Sequence, residues 1–301
     1  MGTIRVAVIG YGNIGKAAVR AVEAAQDMEL AGVVERPSVP GGLIRCDLGA
    51  PVVDQLDKLT GVKVALLCVP SRLVPDLAVE ILLRGVSTVD CFDVHGDDLH
   101  FLRERLDVVA REMGQVAVTA AGWDPGADSL IRAIFLAMAP RGLTYTNYGP
   151  GMSLGHTVAA KAVPGVKEAM SLTIPLGTGF HRRVVYVTLE PDADLGNVIE
   201  LIRRDPYFSR DELKVIEVED VRDLIDVGHG VSIERKGASG QSDNQLLKFE
   251  ARVNNPALTA QVMVCAARAA MRQSPGCYTL LEIPVGELLP GELSGLIGTL
   301  V

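Results

Sequence analysis

The chain has 301 residues, of which 48% are hydrophobic and 22% charged, and its formal net charge is −8. This length exceeds most single domains, so two domains with a sizeable core are expected. An acidic chain with no basic stripe and no aromatic-interleaved basic patch argues against nucleic acid as a partner. No apolar run reaches the roughly 18 uncharged residues of a transmembrane helix.

The N-terminus opens on a strand pattern, without the basic and apolar regions of a secretory signal. Thr3 to Ile9 read as a buried strand and run into Gly10-Tyr11-Gly12-Asn13-Ile14-Gly15, a G-x-G-x-x-G set between a strand and a helix over about 13–26. In that setting the first glycine permits the tight turn, the second lets backbone approach a pyrophosphate, and the third lets helix lie close to strand. The helix N-terminus offers N–H groups and a positive dipole end to an anion. Gly10, Gly12, Asn13, Ile14 and Gly15 are therefore expected to contact a dinucleotide.

The next strand, near 29–35, ends Glu35-Arg36-Pro37-Ser38. An acidic residue here bonds ribose hydroxyls and favours NAD, whereas arginine pairs with the 2′-phosphate of NADP. Arg36 and Ser38 can both hold a phosphate, so NADP is the expected cofactor, with NAD used less efficiently; Glu35 counts among the contacts too.

Further strands are expected near 63–69, 86–90 and 115–119, with helices near 71–84 and 97–113. Continuous apolar runs such as Val64 to Val69 suit a parallel sheet covered on both faces. This gives an α/β, Rossmann-type doubly wound domain over 1–121, whose ligands sit at the carboxyl ends of its strands. Those ends carry Cys68, Val69, Pro70 and Ser71, then Asp90 to His95, then Gly122-Trp123-Asp124-Pro125-Gly126. Cys68, Val69, Pro70, Ser71 and Asp90 are expected beside the cofactor. Asp93 and Asp124 are the candidates to handle a proton. Asp124 fits equally the N-cap of a helix opening at Pro125.

After Gly122 the patterns lengthen and alternate, over 169–175, 182–189, 230–235 and 245–253. They suggest a second, α+β domain over 122–269, built on a mixed, largely antiparallel sheet. A strong helix follows from Asn254-Asn255-Pro256 to about Arg272, and the tail over 270–301 is expected to pack back on the first domain. Gly149-Pro150-Gly151 is either a shaped loop facing an anion or a structural turn. His181-Arg182-Arg183 begins a strand, so one arginine faces a cleft, where its planar fork suits a carboxylate. His156 reads as a packing or capping histidine. His229 lies between two glycines, and Asn255 reads as a site residue or a helix cap. Five cysteines, Cys46, Cys68, Cys91, Cys265 and Cys277, are scattered with no C-x-x-C. They point to a reducing cytoplasm, with no metal site and no disulfide framework.

The segments GYGNIG, CVPS, DCFDVHG, AGWDPG, YGPGMSLGH, LTIPLGTGFHRR, VGHG and NNPALTAQ, in this order across nearly the whole chain, resemble the meso-diaminopimelate dehydrogenase family. The resemblance implies reversible NADP-dependent oxidative deamination at the D-centre of meso-2,6-diaminopimelate, giving L-2-amino-6-oxopimelate, ammonia and NADPH. It implies substrate contacts at Asp93, Trp123, Asp124, Tyr148, Met152, Ser153, Leu154, Thr173, Arg183, His229 and Asn255. It also implies a second domain that binds substrate and forms a homodimer or higher homo-oligomer. Glu35 departs from the two adjacent basic residues usual in the family, and Tyr148 stands where members often carry another aromatic. The short stretch from Gly177 to Arg182 points to members that also convert simpler 2-oxo acids to D-amino acids. Two other readings stay open: a related reductase such as dihydrodipicolinate reductase, which leaves AGWDPG and GPGMSLGH unexplained, and a non-catalytic nucleotide-sensing module.

Overall fold

The computed structural model describes residues 3–35, 49–209, 211–224 and 228–301; Arg36, Ser38 and Cys46 lie outside them, and Leu154 is described by its backbone alone. The chain divides into two compact units, Met1–Ala133 with Pro256–Val301, and Ile134–Asn255. The expected boundaries at 121 and 270 both fall inside the first unit.

In chain order the first unit begins with β1 (Ile4–Ile9), α1 (Asn13–Ala24), β2 (Met28–Val34), β3 (Val52–Val53), β4 (Val64–Leu67), α2 (Val74–Leu83), β5 (Ser87–Asp90), α3 (Asp97–Glu112) and β6 (Val116–Val118). α4 (Ala127–Met138) carries the chain across the division into β7 (Arg141–Met152), α5 (Leu154–Lys161), β8 (Val166–Gly177), β9 (Phe180–Leu189), α6 (Leu195–Arg204), β10 (Glu212–Glu217), β11 (Gly228–Ser239) and β12 (Ser242–Asn254). α7 (Asn255–Ala270), β13 (Gly276–Tyr278), α8 (Val285–Leu288) and α9 (Leu293–Leu300) complete the chain.

Among the described residues the first unit holds a sheet of order β13-β6-β5-β4-β1-β2-β3, parallel throughout. The period-2 alternation of β1 splits its core in two. Val6 and Val8 join α1 and α7 through Val19, Val22, Ala260, Met263 and Val264. Ala7 and Ile9 join α2 and α3 through Ala78, Ile81, Leu82, Leu102 and Leu106. A strand buried on both faces has no polar side to alternate with, which is why β4 and residues 6–9 of β1 read as unbroken apolar runs. α7 belongs to this unit for the same reason. Its Ala260, Met263, Val264, Ala266 and Ala267 are fully buried, and Arg268 clamps Asp27 with Nε–Oδ2 2.5 Å and Nη2–Oδ1 2.8 Å. The tail also returns here, with β13 pairing alongside β6.

The second unit holds a sheet of order β10-β9-β8-β7-β11-β12. Its neighbours are antiparallel except β9 and β10, which are joined through α6, as a parallel pair requires a crossover. α5, α6 and the sheet share a core of Ala160, Val163, Val185, Val187, Val198, Ile202 and Phe208. Sequence patterning misses α5, α6 and β10, and it reads Gly149–Gly151 as a loop. These residues instead continue β7, with Gly151 paired to Thr173 and His229.

Candidate active site

In the first unit, β1 delivers Gly10 and α1 starts at Asn13. A Cβ built on Gly15 would lie 2.0 Å from the Gly10 carbonyl oxygen, so only glycine lets the helix approach this closely. A Cβ on Gly12 meets nothing within 4 Å: this side of the turn is open. A cleft of about 930 Å³ adjoins it, lined by Gly10, Gly12, Glu35, Cys68, Val69 and Pro70 among others, within the roughly 300–1,000 Å³ usual for small-molecule sites. Asn13, Ile14 and Gly15 form the first turn of α1. Of the expected cofactor contacts, Gly10, Gly12, Glu35, Cys68, Val69 and Pro70 line one cleft, and the open backbone at a helix N-terminus fits a pyrophosphate. Glu35 accepts a hydrogen bond from the Tyr11 backbone N–H, tying strand end to glycine turn.

Asp90 is the exception. Its side chain is wholly buried, and Oδ1 accepts hydrogen bonds from Phe92 N, Thr119 Oγ1 and Ala120 N at 3.0 Å. It knits β5 to β6 instead of facing a cofactor, because three donors on those strand ends converge on it. Burial raises its pKa to about 6. Asp93 is exposed and accepts a hydrogen bond from the Ser71 hydroxyl, while its own N–H donates to Ser71 Oγ at 3.2 Å. Burial pushes the Cys68 thiol well up and the Cys91 thiol to about 12, as suits small core residues.

Asp124 does not cap a helix at Pro125. α4 opens at Ala127, beyond Pro125, and Ala127 N and Asp128 N donate back to the Gly122 and Trp123 carbonyls at 3.0 and 3.1 Å. Trp123 is buried, and its backbone N–H donates to Thr259 Oγ1 at 3.3 Å. Arg132 reaches both Asp124, 3.7 Å, and Asp128, 2.7 Å. Asp128 is fully buried, and burial together with the Asp124 charge lifts its pKa to about 7. Asp128 and Arg132 escape a motif-based reading, although they stand i, i+4 on α4.

In the second unit, Thr173 and Arg183 are directly opposed on β8 and β9. Arg183 is 9% exposed and Thr173 is fully buried. Arg183 Nη1 donates to Thr173 Oγ1, and its Nε donates to Asp211 Oδ2 at 2.5 Å. Arg182 points the other way and pairs with Glu212 at 2.8 Å, as strand alternation requires. His156 lies 3.8 Å from Asp211, bonds Ser153 Oγ through Nδ1 at 2.8 Å, and meets the Tyr207 and Phe208 rings edge-on. Burial holds its pKa near 4, so it is neutral. His229 Nδ1 lies 3.1 Å from the Met152 carbonyl. A carbonyl only accepts, so this nitrogen carries the proton, and burial lowers the His229 pKa too. Tyr148 stacks between His181 and His229, with centroids at 5.8 and 6.1 Å, and its N–H donates to His181 Nε2 at 2.8 Å. Gly149 sits at φ +98°, where a Cβ would strike the Thr173 carbonyl. Asn255 is the first residue of α7. Asp211 and His181 carry no sequence signal of their own.

Among the described residues no helix is long and apolar enough to cross a membrane, and no His, Cys, Asp or Glu cluster is arranged to hold a metal ion.

Residues 4–91 match the oxidoreductase family with an NAD-binding Rossmann fold, and 122–180 match the diaminopimelic acid dehydrogenase C-terminal domain. The chain is 51% identical to the meso-diaminopimelate D-dehydrogenase of Bacteroides fragilis, over 100% of both chains. It resembles C. glutamicum DAP dehydrogenase in complex with DAP, at 30% identity and a TM-score of 0.89 over 100% of both chains. It also resembles an engineered D-amino acid dehydrogenase bound to NADP+, at 30% identity and a TM-score of 0.83 over 99% of this chain and 100% of that one. A full-length relative at this identity, a Rossmann unit with an open glycine turn and a mixed second sheet lead to one conclusion: the chain belongs to the meso-diaminopimelate D-dehydrogenase family of oxidoreductases.

Proposed function

We propose that this protein catalyses the reversible NADP-dependent oxidative deamination of meso-2,6-diaminopimelate at its D-centre, giving L-2-amino-6-oxopimelate, ammonium and NADPH. The observation that carries the reading is Asp124, a carboxylate held by Arg132 beyond the end of the nucleotide-binding sheet, where a substrate ammonium has an acceptor. Full-length likeness to enzymes named for this activity supports it. The cofactor supplies the hydride acceptor; this chain's residues bind, orient and move protons. Gly10, Gly12, Asn13, Ile14 and Gly15 cradle the pyrophosphate, Arg36 and Ser38 take the 2′-phosphate, and Val69 to Ser71 border the ring. Asp124, assisted by Asp93, takes one proton from the ammonium as the imine forms. Water then adds to the imine carbon and ammonia leaves. Holding the D-centre against the ring supplies the proximity term.

Arg183 and Thr173 grip the distal carboxylate, and His229 presents its unprotonated Nε2 as an acceptor to the distal ammonium. The family resemblance assigns further substrate contacts to Trp123, Tyr148, Met152, Ser153, Leu154 and Asn255. The reverse reaction extends to simpler 2-oxo acids, because the β8–β9 hairpin is closed by only Thr178 and Gly179, both at positive φ, a tight turn that keeps this stretch short. We further expect a cytoplasmic homodimer or larger homo-oligomer.

The test follows reduced-cofactor absorbance with meso-diaminopimelate, its L,L isomer and dihydrodipicolinate. Turnover is expected with the meso isomer alone, and comparable rates with the L,L isomer would overturn the D-centre assignment. Arg36→Ala should raise the KM for NADP roughly 10-fold, the loss of one charge-assisted bond, and leave that for NAD nearly unchanged. An equal rise for both cofactors would count against the NADP preference.

A further inference from the structure

We propose that Asp128 is a positioning residue of this reaction: with Asp124, on the shared guanidinium of Arg132, it forms a single two-carboxylate base, and the proton taken from the substrate ammonium is held between the two carboxyls. The inference rests on the deamination reading and adds to it a residue outside the substrate contacts. Its basis is geometric. Asp128 occupies the first turn of α4 with no exposed surface, although an isolated buried carboxylate is strongly disfavoured. Arg132 Nη2 lies 2.7 Å from Asp128 Oδ2, and Arg132 Nη1 lies 3.7 Å from Asp124 Oδ1. The two carboxyls thus converge on one guanidinium, and Asp124 Oδ1 and Asp128 Oδ2, the oxygens that meet it, are both shielded from solvent. Two ionised carboxylates beside one guanidinium repel each other, and a proton shared between them relieves that repulsion.

The charged groups acting on Asp128 are Asp124 and Arg132, with the Ser129 hydroxyl as a weaker partner. One guanidinium offsets one carboxylate, which leaves the second as the seat for a proton. A lone exposed carboxylate is too weak a base to draw a proton from an alkylammonium near neutral pH. Burial and the neighbouring charge lift Asp128 to about 7, close to the operating range that favours proton transfer. The step balances. The ammonium gives one proton to the doubly ionised pair and becomes a free amine. Its carbon then loses hydride to the oxidised cofactor, and the pair is left with one shared proton. Release of that proton to water resets it.

The experiment is the pH profile of kcat/KM for meso-diaminopimelate in the wild type, Asp128→Asn and Arg132→Gln. The wild type should show an acid limb near pH 7. Asp128→Asn should move that limb down by about two units, toward a lone carboxylate, and lower kcat about 10-fold with KM little changed. Arg132→Gln should move the limb up by about one unit, because it removes the opposing charge. An unmoved limb in Asp128→Asn overturns the proposal, whether or not melting temperature falls with it. Infrared titration of the protein without substrate gives an independent reading. The protonated carboxyl band should titrate near neutral pH in the wild type and lose the same component in both Asp128→Asn and Asp124→Asn, leaving only the component of buried Asp90. If the band behaves so and meso-diaminopimelate is not turned over, the deamination reading fails and the shared proton stands. If turnover is present without that common component, the shared proton fails alone.

Discussion

At the scale of single residues, neighbours decide what a charge does. Asp90, Asp93 and Asp124 look alike in sequence, each near the end of a strand. Asp90 is consumed by three hydrogen bonds inside the sheet, Asp93 is met by a serine hydroxyl, and Asp124 shares an arginine with a second aspartate. Asp124 therefore separates chemistry from structure cleanly. Asp124→Asn keeps the shape and removes a negative charge beside Asp128, so melting temperature should hold or rise. Turnover should fall about 100-fold, the usual effect of losing a positioned acid/base group. Retained turnover, measured by cofactor absorbance, would hand the proton to Asp93. Arg183 was legible as one of two alternating arginines. Its partner Asp211 was not, because nothing local ties a loop aspartate to an arginine on another strand.

At the scale of elements, the glycine turn makes two opposed demands within four residues. Gly15 is required by packing: Gly15→Ala would drive a Cβ into the Gly10 carbonyl and should cost about 2 kcal/mol or more in urea unfolding. Gly12 has φ −73° and open space where a Cβ would lie. Gly12→Ala should cost less than about 1 kcal/mol and yet weaken cofactor binding about 10-fold or more by calorimetry, because the methyl occupies the anion's approach. Similar stability losses in the two variants would show that the motif serves packing alone. The Gly-Pro-Gly segment shows the opposite limit of local reading. Turn-forming residues here lie inside β7, because β8 and β11 flank it so closely that Gly149 and Gly230 have no room for a side chain.

At the scale of the whole molecule, buried titratable groups of two kinds act on stability in opposite directions. Burial lowers the pKa of His156 to about 4 and also lowers those of His181 and His229. The unfolded chain then binds more protons than the folded one below about pH 6.5. Stability from these histidines is full above that value and is lost as pH falls toward 4. Asp90 and Asp128 are raised, to about 6 and about 7. The folded chain holds their protons longer, so their contribution declines as pH rises through the same region. His156→Gln should therefore unfold more easily at pH 8, through lost packing, yet show a shallower fall in stability between pH 6.5 and 4.5. An unchanged slope in urea titrations would mean that His156 is already protonated in the folded protein.

The sequence by itself determined the parallel sheet, the dinucleotide turn and the family. Each is written in contiguous residues: continuous apolar runs such as Val64 to Val69, three glycines at fixed spacing, and segments such as AGWDPG. Tertiary structure alone decided that α7 completes the first unit, that Asp90 is interior, and that Asp128 and Arg132 share the site of Asp124. Burial, and the proton affinity that follows from it, depend on which distant atoms exclude water from a side chain, and no local pattern records that.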